Sequence, residues 1–429
     1  MSEHVDLGAM LPRPMAGDRE GWKAYWKARN QTWRTEPEID GERQRFLTLR
    51  RTILPDIADS VFPFKDIKLD RADVEWLLAT HLAGQWPSLW GRVMTGLPKR
   101  GLDLRGADLR GADLRRLPLM QLQAGLAEQD WTRSSDAQRE ASSVKLQGAN
   151  LYLANLQDAS LRGAHLEGAN LEHTHVEGTV FRATWVGGTL REEGGRRIQD
   201  YPPANLRFAY MDFETNMRDI HMGTPEAGYV LLADIHWDGI DLGSVPWDSV
   251  KFLGDEWQAR RKSKKLTSAT RQETLQEFET AVRANRQLAM VLRRQGLNEH
   301  ADKFSYRAQI LQRIVLRRQH RFLRYFGSGF LDLISGYGYN PLRSFVTYLL
   351  VVGVFALVYF LLGSNVHPPL NPLGAVVFSI TSFHGRGFAA GESVAITNPV
   401  TVLAAVEAII GLLIEITFIA TFTQRFFAR

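Results

Sequence analysis

The residues with chemistry to offer gather near the C-terminal end. In the run Phe383-His-Gly-Arg-Gly-Phe388, one cation stands between two glycines inside an otherwise apolar region. An ionisable residue in apolar surroundings is costly unless it is paired or meets water. Arg386 therefore has two readings. Repeated about a symmetry axis it makes a positive ring, which favours anions. Alternatively it is a strut, paired with Glu407 or with a carbonyl. Glu407, Gly411 and Glu415 are spaced by four, so they share one helix face. Rings of glutamate on that face favour cations. A Glu407 turned toward the Gly-rich segment would pair there and say nothing of ions. Gly411 suits a hinge or a close helix contact.

Other candidates are weaker. Arg313, Arg317, Arg321 and Arg324 step by four, four and three, one basic stripe if the helix is continuous. Such a stripe suits anionic lipid head groups or a subunit interface. His165, His173 and His175 fall at different places in a local repeat, so a surface role is expected and no metal site. No Ser-His-Asp arrangement, P-loop or HExxH pattern occurs, so no enzymatic function and no cofactor are expected. The chain has no cysteine, which excludes disulfides and thiolate ligands and fits a reducing compartment.

Two long apolar segments must carry the C-terminal candidates. Ser344–Leu362 has nineteen residues without a charge, about 28 Å as a helix. Val400–Phe422 is the second, interrupted by Glu407 and Glu415. Between them, Asn371-Pro372 is a helix start and Leu373–Ser382 an apolar helix too short to span. The Gly-rich run that follows must be irregular, and irregular backbone at membrane depth survives only where it lines water or packs in protein. Basic flanks before the first segment, with Arg425 and Arg429 after the second, place both termini in the cytoplasm. The loop between holds Arg386, His367 and His384.

This order of span, half-helix, Gly-rich return and span resembles the pore-loop module of potassium channels, over residues 343–427. Phe378-Ser-Ile-Thr-Ser-Phe is similar to the end of that family's pore helix. Gly385-Arg386-Gly387 falls where the family has its Gly-Tyr-Gly filter, and Gly411 where it has a gating glycine. The run from Phe378 to the first glycine is about two residues short, and arginine replaces the aromatic. The resemblance implies a homotetrameric ion channel. Thr381, Ser382, Phe383, His384, Gly385, Arg386, Gly387 and Phe388 would form the filter loop, and Glu407, Gly411 and Glu415 the gating face. The expected place is a bacterial inner membrane, with an unidentified permeant ion and membrane lipids as partners. A literal Gly336-Tyr-Gly338 precedes the first span and reads as an interfacial turn.

Upstream the sequence repeats every five residues. Leu104, Leu109, Leu114 and Leu119 carry the period, then Leu146 through Leu171, Val176, Phe181 and Val186. Two residues before most of them stands Ala or Thr, with Asp or Asn often between. Ala-in, Asx-out, Leu-in alternates with period two, as a strand does. A five-residue repeat makes one short extended side and a corner, and stacked sides bury ladders of Leu and Ala. The pattern resembles the pentapeptide-repeat family, which implies a right-handed quadrilateral β-helix. Residues 120–145 are expected as a helical insertion and 187–203 as a loop. The period returns at Leu206, Met211, Ile235, Ile240, Val245 and Val250.

The fold class expected is therefore a multidomain membrane protein. Residues 1–100 form a Trp-rich, mostly helical cytoplasmic region, with helices near Gln44–Ile53 and from Arg71. Residues 101–255 form the β-helix. Residues 258–265 are a basic linker. Residues 266–338 form a helical hairpin and an interfacial segment, and 339–429 the two-helix pore-loop domain. The solenoid would bind an unknown ligand or protein. Some pentapeptide-repeat proteins imitate DNA with an acidic rod, but the net charge here is +5, so no nucleic-acid role is expected. The alternative to a channel is a membrane-anchored scaffold that does not conduct.

Overall fold

The computed structural model describes residues 12–85, 101–264, 271–339, 341–362, 371–386 and 399–427. Contacts divide the chain into two compact units, Met1–Phe304 and Ser305–Arg429.

The first unit is built on the five-residue period. Lys145 pairs in parallel with His165, Asn150 with Asn170, Asn155 with His175 and Ser160 with Val180, each a step of 20 residues. Four repeats thus close one coil. Leu151, Leu156, Leu161, Leu166 and Leu171, with Ala154, Ala159 and Ala164, have no exposed surface. Where Thr174, Thr179 and Thr184 replace alanine they are also fully buried. Their hydroxyls donate to the carbonyls of Leu151, Leu156 and Leu161 at 3.0, 2.8 and 2.7 Å, so none of these three hydroxyls is stranded. At each corner one residue is left-handed, as at Gly148, Leu153, Asp158, Gly163, Gly168 and His173. Gly163 is held there twice over, because a Cβ would sit 2.8 Å from the Trp131 ring.

Insertions leave the stack intact. The repeat runs further than expected past Leu119, since Gln123 pairs with Asp103 and Ser160. Only then do α4 (Glu128–Arg133) and α5 (Asp136–Ser142) leave the coil. The Gly- and Arg-rich stretch expected as a loop is a hairpin, β1 (Leu190–Glu193) against β2 (Arg196–Gln199), turned at the left-handed Gly194-Gly195.

Before the coil stand α1 (Arg19–Lys27), α2 (Gly41–Arg51) and α3 (Arg71–Gln85). Leu47, Leu69, Val74 and Leu77 join the same core as the β-helix leucines, so this region and the solenoid are not separate domains. Arg71 fixes the join: it pairs with Glu75 at 2.7 Å and donates to the carbonyls of Asp113 and Arg115. Trp22 and Trp26 are buried, while Trp86 and Trp90 lie outside the described residues.

At the other end the expected basic linker is helical, as α6 (Gly254–Lys264). Its buried Asp255 accepts from Arg207 at 2.8 Å and from the Leu232 amide, which hold the segment against the coil. α7 (Arg271–Arg294) buries Ala284, Leu288 and Leu292 on the solenoid core and ends at the left-handed Gly296. The hairpin expected over 266–338 is thus divided between the units, its first helix serving as the coil's cover.

α8 (Asn298–Arg318) begins in the first unit, where Ala301 and Phe304 join the solenoid core, and it stops earlier than expected in the second. Left-handed His320 breaks the helix, and α9 (Phe322–Ser335) begins with Arg321 as its N-cap. The basic stripe is therefore not one stripe. Arg313 and Arg317 lie on α8 and Arg324 on α9, and Arg313 pairs with Asp332 at 2.7 Å. Gly336-Tyr-Gly338 is a turn at the C-terminal end of α9, with Gly336 left-handed. Then come α10 (Pro341–Leu362), α11 (Pro372–Phe383) and α12 (Pro399–Phe427).

Candidate functional site

Among the described residues, two helices are long and apolar enough to cross a membrane, Leu342–Leu362 within α10 and Val400–Ala420 within α12. Both leave wide apolar faces open, including Leu350, Leu357, Leu361, Ile409, Leu412 and Ile419. In a single protein chain in water such surface would be a liability.

The short helix α11 lies against both. Asn371 caps it, its side chain accepting from the Gly374 amide at 2.6 Å, and Pro372 opens the first turn. One end packs as Ala375 and Phe378 against Tyr359 of α10 and Ala404 of α12. At the other end Phe383 packs with Val352, Ile414 and Ile334 of α9.

That packing fixes the rotation of α12. Ala404, Glu407, Gly411 and Ile414 are its buried stripe, and it faces α11. Glu407 is fully buried. One carboxylate oxygen meets the Ser379 hydroxyl at 2.6 Å and the other the Tyr359 hydroxyl at 2.7 Å. A single acid thereby ties three helices together. Of the two partners a strut at Arg386 would have, Glu407 or a carbonyl, Glu407 is taken by Ser379 and Tyr359, and the Arg386 side chain is exposed. At Gly411 any side chain would collide with the carbonyl of Phe383, so the glycine serves close approach. Glu415 pairs with His384 at the end of α11.

Beyond Phe383 the chain turns sharply. The Gly385 amide donates to the Ser382 carbonyl at 2.9 Å and the Arg386 amide to Thr381 at 2.7 Å, with Gly385 left-handed. Thr381 bonds back to its own helix, and Ser382 and Phe383 are buried. His384, Gly385 and Arg386 form the exposed tip. Gly387 and Phe388 lie outside the described residues. Sequence reasoning grouped Glu407, Gly411 and Glu415 on one face, as found. It missed Ser379 and Tyr359, whose only signal was a hydroxyl in an apolar run.

On the solenoid surface the histidines join aromatic ladders. Trp185 stacks between His165 and His221, and Tyr210 between His175 and His236. No cluster of three or more metal-binding groups occurs among the described residues. Many repeat arginines are spoken for: Arg105, Arg110 and Arg115 each fork onto the aspartate two residues earlier. The Arg110 guanidinium holds the Asp108 carboxyl well below the usual carboxylate range.

The pentapeptide-repeat family model matches residues 142–182, in 8 copies. That segment is a pentapeptide-repeat β-helix, and the parallel pairing extends its coils on both sides. Among solved structures the chain is similar to a pentapeptide-repeat protein of the Arabidopsis thaliana thylakoid lumen, at 18% identity and TM-score 0.24, covering 36% of this chain and 81% of that one. It is also similar to HetL, a Nostoc pentapeptide-repeat protein involved in heterocyst differentiation regulation, at 23% identity and TM-score 0.16, covering 32% and 48%. A third is a pentapeptide-repeat protein of Cyanothece, at 17% identity and TM-score 0.17, covering 36% and 95%. Likeness of this extent carries no functional argument. No curated relative matches the chain.

Proposed function

We propose that the protein is a homo-oligomeric ion channel of the pore-loop type, with the pentapeptide-repeat unit as its cytoplasmic assembly or regulatory part. One observation carries the reading. A short, proline-started helix is wedged between two span-length helices, anchored on a buried glutamate, and ends in a sharp Gly-Arg turn. An acid buried among apolar helices is costly, and it is tolerated here because two hydroxyls from two other helices satisfy it. That arrangement suits a rigid platform for the loop after Phe383.

One such loop encloses nothing, so several copies must meet about an axis, and four is the expected number. The open apolar faces of α10 and α12 supply surface for lipid and for neighbouring subunits. Because the Glu407 face is engaged within the chain, the acids are supports, and Arg386 at the exposed tip is the group offered to the ion path. A ring of Arg386 would favour anions.

The test is ion flux in liposomes holding the purified protein, under matched potassium, sodium and chloride gradients, with Arg386→Ala alongside. The reading expects a flux whose reversal potential follows one ion and shifts in the variant. Silence from correctly inserted oligomers would favour a membrane-anchored, non-conducting scaffold.

A further inference from the structure

In the first unit, α1 stands over the β-helix and leaves a cleft of about 450 Å³ between them. The volume falls within the roughly 300–1,000 Å³ of small-molecule sites. Arg19, Lys23 and Lys27, spaced by four, line one wall from a single face of α1. Arg71, Arg115 and Arg116 line the floor, and Glu36 and Asp113 are the acids.

Charge pairing sorts these cations. Arg19 leans on Glu36, Lys23 on Glu20, Arg115 on Asp113 and Arg71 on Glu75. Lys27 and Arg116 have no side-chain partner among the described residues, and both are exposed. Two aromatic side chains, Trp33 and Tyr152, line the same cleft and are half-buried. Thr32 and Thr35 add hydroxyls. Unpaired cations recognise phosphate, and aromatic rings beside them stack on a flat base.

We infer that this cleft binds a nucleotide: phosphate against Lys27 and Arg116, the base against Trp33 and Tyr152. Each cation comes from a different element, Lys27 from α1 and Arg116 from the coil. A bound phosphate would therefore bridge the helix to the solenoid. Nothing in the inference depends on ion conduction.

Calorimetric titration of the full-length protein in detergent tests it. The probes are adenosine and guanosine mono- and triphosphates, inorganic phosphate, and vesicles carrying phosphoinositides. The expected result is saturable binding of a nucleotide, one per chain, at least about tenfold tighter than inorganic phosphate. Lys27→Glu and Arg116→Glu should each weaken it about tenfold, the scale of one charge-assisted contact. Tyr152→Ala should weaken nucleotide binding and leave phosphate binding unchanged. Both reversed charges are exposed, and unchanged melting curves would show that the variants fold. Lys27→Gln provides a milder form. The inference is overturned by no saturation at millimolar nucleotide, by equal affinity for bare phosphate, by indifference to both charge reversals, or by binding to phosphoinositide vesicles alone.

Discussion

Glu407 shows what a single residue does in the second unit. Its two oxygens are satisfied by hydroxyls on α10 and α11, so removing one donor strands a buried acceptor at a cost of about 1–3 kcal/mol. Tyr359→Phe should lower the thermal midpoint of the detergent-solubilised protein, and an unchanged melt would mean the bond is not made. Gly411→Ala must move the Phe383 carbonyl, and overpacking of this kind costs about 1–3 kcal/mol. It is expected to lower the same midpoint and to disturb flux, because the displaced atom lies three residues before Arg386. On the solenoid, burial opposes charge on His165, yet Glu167 and Glu140 outweigh it and the ring's pKa is raised. A raised folded pKa stabilises below the usual histidine value and loses that contribution as pH rises through the folded value. His221, across Trp185, is pushed down by burial and works the other way. The clean measurement is therefore a difference: His165→Gln should cost more stability near pH 5.5 than near pH 8.5. Equal costs would contradict it. The spacing of Glu407, Gly411 and Glu415 was legible in the sequence because a helix face is local. Ser379 and Tyr359 were not, because a hydroxyl's partner is settled by which helices meet.

The elements were readable where their period was strong. Five-residue spacing marked the coil, and length with hydropathy marked α10 and α12. Asn371-Pro372 marked the start of α11, where the cap geometry is as the residue types demand. Errors arose where a pattern crossed a break. Arg313 to Arg324 fits one helix by spacing, yet His320 turns left-handed and the stripe divides. The basic run from Gln258 is polar enough for a linker, but Asp255 and Arg207 anchor it as a helix. The break before α9 has a consequence. Leu323, Phe326 and Leu333 are 88%, 67% and 68% exposed, an apolar face directly before the first span. If α10 crosses a membrane as proposed, such a face is expected in the head-group boundary. Because the chain has no cysteine, single cysteines can be placed there and spin-labelled. Labels at Leu323, Phe326 and Leu333 in reconstituted protein should collide with oxygen more than with a water-soluble relaxer. The reverse order would mean the face meets water, and immobilised spectra would mean it meets protein.

The whole molecule joins two kinds of order. The first unit is a stack whose every coil repeats one local rule, which is why its architecture follows from sequence alone. Its ends obey no such rule. The N-terminal helices and α7 share the solenoid's core because a stacked coil exposes leucine at each end and needs covering. The second unit is made by packing between helices distant in sequence, so only its plan could be expected. The proposed channel requires conduction past the tip of α11. The most direct measurement is current across a planar bilayer holding the full-length Arg386→Cys variant, before and after a charged thiol reagent. Native cysteines are absent, so the reagent has one target. A channel with position 386 in its ion path gives unitary currents whose size or ion preference changes on modification, and the cysteine-free parent is unaffected by the reagent. Confirmed oligomers that pass no current, or currents indifferent to charge placed at position 386, would contradict it.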